Sequence, residues 1–319
     1  MTKILFHQYQ PLHAEEVGTL FEAAFGQTFS APYWTWRFLH NPNVDAAQIA
    51  YIKDKGEVVA YYAVSPVHII INGKPYMAAL SNMTMTHPEH QGKGYFRLLA
   101  NALYDHLQEQ DYIGVFGFAN QNSHYGFRKY LNWVDLSSLC NFVLTPATFR
   151  KPKVEQTTSM TFKQQPLESK IIQRLSNMFC SNAQVIPSRD YNNLKWRLVD
   201  IPTKNYFTAE VTYEEQQLVI IFKTFEGSLD IMEVFYTDSK AAKNPNLLHY
   251  AVDQLLREAK GGLNIWSNLY SDEHLLLEKI GFKNTSFSTY FGVIPFRQAP
   301  NELLNISNWH FRFYDSDVY

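Results

Sequence analysis

Apolar positions in this chain fall into two kinds of period. Val17, Leu20, Phe21, Ala24 and Phe25 lie on one stripe at helical spacing, as do Phe96, Leu99, Leu103 and Leu107, and again Ile171, Ile172, Leu175 and Phe179. Between the first two stripes the apolar residues run or alternate as strands do, near Gln48–Lys53, Glu57–Val64, Val67–Ile71 and Met77–Thr86. Asp54-Lys55-Gly56 and Asn72-Gly73 supply the hairpin turns. The pattern then predicts a helix from Tyr95 to about Gln110, a strand over Tyr112–Phe118, a helix over Asn122–Leu131 and a strand over Val134–Leu144.

Much of this order occurs twice. Tyr33-Trp34-Thr35-Trp36-Arg37-Phe38-Leu39-His40-Asn41-Pro42 returns in degenerate form as Asn193-Leu194-Lys195-Trp196-Arg197-Leu198-Val199-Asp200-Ile201-Pro202. Gln10-Pro11-Leu12 matches Gln165-Pro166-Leu167, each before an amphipathic helix, and Leu131-Asn132-Trp133 matches Ile280-Gly281-Phe282. The expected organisation is therefore α+β, with two similar units at 1–145 and 159–319 and a linker at 146–158. Each unit is expected to hold a mixed, mostly antiparallel twisted sheet flanked by helices.

Composition narrows the function. The 319 residues are 46% hydrophobic and 15% aromatic, enough for two packed cores. A formal charge of −2 excludes the basic footprint of a nucleic-acid binder. No apolar run approaches the roughly 20 residues of a membrane span. Cys140 and Cys180 make neither a disulfide framework nor a zinc site, so no metal is expected. The N-terminus has no signal-peptide pattern, and the expected location is cytoplasmic.

The segment with the most chemistry is Thr86-His87-Pro88-Glu89-His90-Gln91-Gly92-Lys93-Gly94-Tyr95-Phe96, which ends a strand, turns through two glycines and opens a helix. Backbone N–H groups there can converge on an anion at the positive end of the helix dipole. The counterpart in the second half, Lys240-Ala241-Ala242-Lys243-Asn244-Pro245-Asn246, has no glycine, and its proline lacks an N–H. One anion site per chain is expected.

Gln91, Gly92, Lys93 and Gly94, after an apolar strand and a proline, resemble the acyl-CoA-binding motif of the GNAT superfamily of N-acetyltransferases, in a tandem branch with the loop intact only in the first unit. Phe96 departs from the small residue usual at that position. The resemblance implies an acetyl-CoA (or other acyl-CoA) co-substrate. Its pyrophosphate would lie on the amides of Gly92, Lys93, Gly94 and Phe96, with Gln91 in the motif and Lys93 and Arg97 adding charge. Its pantetheine would lie along the backbone of Thr84, Met85 and Thr86, and Asn120 or Asn122 would match the Asn that opens the following helix beside the cofactor. The implied reaction is direct attack of a primary amine on the thioester in a ternary complex, with a small-molecule acceptor. Similar tandem proteins and the aromatic residues Tyr33 and Trp34, the substrate-binding candidates, lean toward an amino sugar.

Such a transfer needs a base for the ammonium and an acid for the thiolate. The family's acid is a Tyr, but Arg128 stands at the matching position, leaving Tyr125 one turn earlier, or Tyr130, as candidates. Ser81 and Asn82 on the strand facing the acceptor are candidates to hold a relay water, and His68, His87 and His90 are bases by ordinary pKa. The aromatic run Trp309–Tyr319 reads as a strand completing the second sheet. In another tandem GNAT family the terminal carboxylate acts as base, which makes Asp315, Asp317 or the Tyr319 carboxylate an alternative. Two rival functions stand beside the transferase: a non-catalytic acyl-CoA sensor or interaction module, and a tandem-GNAT aminoacyl transferase.

Overall fold

The computed structural model describes residues 3–44, 48–151, 159–203 and 205–316. Most of the expected linker, 152–158, and the terminal Asp317 and Tyr319 lie outside them. Two compact units are present. One comprises Met1–Ser138, Ile201–Thr203 and Thr289–Leu304, and the other Leu139–Asp200, Lys204–Ser288 and Asn305–Tyr319. The units do not follow a single cut near residue 145, because the end of one strand from each half of the chain belongs to the other unit.

The first unit contains β1 (Leu5–His7), α1 (Ala14–Phe25), α2 (Ala31–Trp34), β2 (Ile49–Asp54), β3 (Glu57–Ile71), β4 (Lys74–Thr86), α3 (Tyr95–Glu109), β5 (Gly114–Ala119), α4 (Gln121–Tyr130) and the start of β6 (Val134–Leu144). Its sheet runs β1-β2-β3-β4-β5, followed by residues 290–295 of the chain's last strand. Neighbours are antiparallel except β4 and β5. Successive residues of β3 face opposite ways, as the period of two requires. Tyr62 and Val64 join Leu99, Leu103 and Leu107 of α3 in one core, whereas Tyr61 and Ala63 join Val17, Leu20 and Trp34 in another.

The two strands expected at Glu57–Val64 and Val67–Ile71 are one strand, continuous through Ser65-Pro66. A proline is tolerated in a strand where no neighbour needs its N–H. β2 begins opposite Ala63, so Pro66 lies beyond it. The Pro66 carbonyl instead accepts from the side-chain amides of Asn41 and Asn43 at 3.1 and 3.3 Å.

The second unit contains the end of β6, then β7 (Thr161–Pro166), α5 (Ser169–Leu175), β8 (Val185–Pro187), α6 (Tyr191–Leu198), β9 (Phe207–Tyr213), β10 (Gln216–Phe225), β11 (Ser228–Tyr236), α7 (Ser239–Ala242), α8 (Pro245–Glu258), β12 (Leu263–Ile265), α9 (Asp272–Ile280) and the start of β13 (Lys283–Pro295). The sheet order is β6-β12-β11-β10-β9-β7, and β11 and β12 are parallel. The expected C-terminal strand is absent among the described residues. Residues 309–316 form a buried irregular segment with a 3₁₀ turn over Phe313–Asp315. Its backbone is satisfied by side chains: Asp315 accepts from the Arg312 N–H at 2.8 Å, and Arg197 donates to the carbonyls of Tyr314 and Ser316 at 3.1 Å each.

Candidate acyl-CoA site

β4 and β5 pair only at Ala79–Val115 and Leu80–Phe116, and both strands continue past that point. From residue 81 onward β4 has β3 on one side and an opening on the other. A bulge occurs at the start of the opening, where Ala63 pairs with Met83 and Val64 with Ser81, leaving Asn82 as the extra residue. Both amide atoms of the Asn82 side chain are buried without a hydrogen-bond partner.

Alternation along an antiparallel strand sends backbone groups to either side in turn. The His87 N–H donates to Val59 at 2.9 Å, so the backbone groups of Met83 and Met85 also face β3, and those of Thr84 and Thr86 face the opening. Of the three residues expected along the pantetheine, Thr84 and Thr86 thus have backbone groups free to serve it. Met85 does not, and its side chain is buried in the α1-side core.

Beyond β4 the chain turns through Gly92 and Gly94, both at φ 75°, a left-handed conformation open to glycine. Apart from the adjoining residues, no atom of the described residues lies within 4 Å of where a Cβ would project from either glycine. The N–H groups of residues 92–97 donate to no protein acceptor among the described residues, and the first intrahelical bond at this end is Leu98 N–H to Gly94 O at 3.1 Å. A helix start leaves its first amides unpaired, and here the two glycines extend that row. An open cradle of unpaired donors at the positive end of a 15-residue helix fits a pyrophosphate.

The aromatic Phe96 is accommodated at a distance. Its ring packs 5.3 Å from Phe127 and 6.2 Å from Tyr62, and a Cβ added at Gly126 would lie 3.1 Å from it. The ring therefore points into the helix-facing core, leaving its amide in the row.

The other expected residues are dispersed. Gln91, Lys93 and Arg97 are exposed at the loop, and the Lys93 ammonium donates to His90 Nδ1 at 3.1 Å. Asn120 caps α4, accepting from the N–H groups of Asn122 and Ser123 at 3.0 Å each, and Asn122 is exposed. Tyr125 is 62% exposed on α4, edge-on to Tyr130. Arg128 donates to the Trp133 carbonyl and pairs with Asp135. Trp34 is 2% exposed and sits among Tyr9, Phe29, Phe38 and Tyr61, so it is a core residue. Tyr33 is half-buried and accepts from Arg37 at 3.0 Å.

Two groupings escape sequence reasoning. His124 pairs with Asp135 at 3.0 Å and stacks on Tyr290 at 3.8 Å. Ser81 belongs to a buried hydroxyl chain with Tyr62, Tyr104 and Trp133. Only the general rule that buried polar groups require partners could have flagged the tyrosines.

The second unit's equivalent place is filled by protein. β11 and β12 pair at Leu229–Leu263 and Asp230–Asn264 and then part. Arg312 bridges the gap, donating to the Trp266 carbonyl just past β12 at 2.8 Å and approaching Glu233 on β11 at 3.6 Å, with Glu273 a further partner. Glu233 also takes Arg189 at 2.7 Å and His310 at 3.1 Å. Burial alone would raise the Glu233 carboxyl, but His310, Arg189 and Arg312 outweigh it and hold it well below the usual range. A cavity of about 500 Å³ beside this network is lined by Cys180, Asn268, His310 and Arg312. Asn268, His310 and Arg312 already make hydrogen bonds within the protein, and burial pushes the Cys180 thiol up to about 12.

Residues 6–133 match the model of the Acetyltransferase (GNAT) domain. No curated protein matches the chain in sequence. Among solved structures, a probable N-acyltransferase from Enterococcus faecalis is similar at 13% identity over 92% of this chain and 72% of that one, with a TM-score of 0.67. A GCN5-related N-acetyltransferase from Kribbella flavida is similar at 13% identity over 92% and 71%, with a TM-score of 0.63. Saccharomyces cerevisiae N-myristoyltransferase with bound myristoyl-CoA covers 94% of this chain and 80% of its own at 12% identity, with a TM-score of 0.59. At these identities the likeness is one of fold, and the fold is the expected α+β arrangement of two GNAT-like units. Among the described residues, no helix is long and apolar enough to cross a membrane, and no cluster of His, Cys, Asp and Glu is suited to a metal ion.

Proposed function

We propose that the first unit binds one acyl-CoA and that the protein is an N-acyltransferase acting on a primary amine of a small molecule, with acetyl-CoA as donor and an amino sugar as the favoured acceptor class. The observation that carries this reading is the row of unpaired amides at residues 92–97, placed where the opening beside β4 ends. A bound acyl-CoA supplies an acyl group already activated as a thioester. The amides of Gly92, Lys93, Gly94 and Phe96 would hold its pyrophosphate. The free backbone groups of Thr84 and Thr86 would hold the pantetheine as a neighbouring strand would. Rigid backbone donors are suited to polarising a carbonyl, because they are aimed in advance at developing charge.

The second unit takes no part in holding the donor, because its own side chains occupy the equivalent amides. Tyr33, half-buried on α2, remains a residue for contacting the acceptor, and Trp34 braces it from the core. The test is CoA release from acetyl-CoA in the presence of amino sugars, polyamines and amino acids. Release that depends on one of these amines, with the acylated amine found by mass spectrometry, is expected. Tight acetyl-CoA binding with no transfer to any class of amine would favour the acyl-CoA sensor instead.

A further inference from the structure

A line of hydroxyl groups leads from the core of the first unit to the mouth of the opening between β4 and β5. The Trp133 indole N–H donates to Tyr104 Oη at 3.0 Å, Tyr104 Oη lies 2.9 Å from Tyr62 Oη, and Tyr62 Oη lies 2.9 Å from Ser81 Oγ. An indole nitrogen can only donate, which fixes the direction at one end. Tyr104 is buried, and its hydroxyl hydrogen has Tyr62 as its acceptor among the described residues. The opposite arrangement would leave a buried donor unpaired. Tyr62, having accepted from Tyr104, passes its own hydrogen to Ser81. The free hydrogen of the chain is therefore that of Ser81.

Its place is the start of the opening. Leu80–Phe116 is the last rung between the two parallel strands, and Ser81 is the next residue. On β5, a Cβ added at Gly117 would come within 3.3 Å of the Ser81 Cβ and 3.1 Å of the Trp133 ring, so the strands are still close at this point and the missing side chain lets Ser81 and Trp133 pack there. The buried amide of Asn82, adjacent and without partners, marks the same spot as one where polar groups await a ligand. A donor molecule with its phosphates at residues 92–96 and its arm along Thr86 and Thr84 would run back along β4 toward Ser81.

Resting on the acyl-CoA reading, we propose that the Ser81 hydroxyl donates a hydrogen bond to the sulfur of the bound acyl-CoA and stabilises the negative charge that gathers there as the carbon–sulfur bond breaks. Tyr62, Tyr104 and Trp133 are positioning residues that fix the direction of that bond. This is hydrogen bonding without proton transfer: the amine nitrogen bonds to the carbonyl carbon as the carbon–sulfur bond breaks and gives its surplus proton to water, the departing thiolate takes a proton from water, and Ser81 keeps its own. A thiolate is a far weaker base than a serine alkoxide, so Ser81 keeps its proton, and burial pushes the Tyr62 hydroxyl up to about 12 and Tyr104 well above its usual value, so the tyrosines keep theirs as well. The chain thus offers the thiolate a hydrogen bond but not the proton expected of a tyrosine at the position of Arg128.

Titratable groups near the opening are few. Tyr62 on β3 and Tyr104 on α3 belong to the chain, His124 and Arg128 on α4 are paired with Asp135 on β6, and His87, His90 and Lys93 lie at the loop.

The test uses CoA itself, with its free thiol, and the full-length protein. The ultraviolet absorbance of the thiolate is followed against pH in the saturated wild type and in Ser81→Ala, Ser81→Thr and Tyr62→Phe, with the affinity for CoA measured alongside. A hydrogen bond to the charged form lowers the pH at which the thiol ionises. The bound thiol should ionise about one pH unit or more lower in the wild type than in Ser81→Ala. Ser81→Thr should restore the wild-type value, Tyr62→Phe should fall between, and affinity measured at a pH where the thiol is protonated should change less than about threefold in all three variants. Equal ionisation in the wild type, Ser81→Ala and Tyr62→Phe, with CoA bound to each, would overturn the proposal. Failure of the wild type to bind CoA would instead overturn the acyl-CoA reading on which it rests.

Discussion

The helical segments that follow β4 and β11 treat their first amides in opposite ways. At α3 the N–H groups of residues 92–97 have no acceptor among the described residues. At α7 and α8 the corresponding groups are used internally. Asp238 accepts from Lys240 and Ala241 at 2.8 Å each, Lys243 and Asn244 donate to the carbonyls of Lys240 and Ala241, Asn244 accepts from Asn246, and Pro245 has no N–H. The openings beside β4 and β11 differ in the same sense, since the first retains an unpartnered Asn82 and the second is bridged by Arg312. One architecture can therefore be a binding site or a structural joint. What decides is whether the protein satisfies its own polar groups there.

The largest expected effect comes from breaking the joint. Glu233→Ala leaves Arg189, His310 and Arg312 without their common acceptor, and removing one side of a buried ion pair costs about 3–5 kcal/mol. Urea unfolding should show a loss of that order, and a loss below about 1 kcal/mol would mean that the network is not what closes the second opening.

Next comes the anion cradle. Gly94→Val introduces a branched side chain at φ 75° into the space where phosphate should lie, and acetyl-CoA affinity should fall at least tenfold, about 1.4 kcal/mol. Lys243→Ala, at the matching place in the second unit, should leave affinity unchanged. Calorimetry on both variants separates the two loops, and equal losses would erase the distinction.

A smaller effect tests the self-satisfied amides. Asp238→Ala should cost about 1 kcal/mol of stability by removing a helix cap, without altering acetyl-CoA binding. Gln91→Ala, in the loop whose amides are unpaired, should change stability by less than about 0.5 kcal/mol in the same denaturation assay.

The smallest is a pH effect within the first unit. Burial, with His13 and Lys53 nearby, lowers the His7 imidazole to about 4. Its neutral form is favoured by folding, so its contribution is complete above the unfolded value of 6.5 and is lost as pH falls toward 4. After discounting for solvent screening of a partly exposed ring, the effect is about 1 kcal/mol or less. The thermal midpoint of the wild type should fall by roughly 2–4 °C more over that range than that of His7→Gln. Parallel curves would show that His7 is not the group responsible.

What could be read from sequence was what is decided locally. The Gly92-Lys93-Gly94 turn, the stripe of α3 and the missing loop before α8 each depend on a few consecutive residues. Features set by distant partners were hidden. Pro66 looked like a strand break because nothing nearby shows that β2 has ended and that Asn41 and Asn43 take its carbonyl. Phe96 departs from the motif, and only Gly126, thirty residues later, makes room for it. Trp34 offered itself as a substrate platform because an aromatic in a loop carries no sign of which way it faces. The C-terminal aromatics suggested a strand because apolar composition does not show that Arg197 and Asp315 serve that backbone. The hydroxyl chain draws on β3, β4, α3 and the turn before β6, and no local pattern links them.

The contrast between an open and a self-filled site is tested most directly by the stoichiometry of acetyl-CoA binding to the full-length protein. Titration calorimetry should give one site per chain, lost in Gly94→Val and retained in Lys243→Ala. Two equivalent sites, no binding, or a single site indifferent to Gly94 would contradict the account.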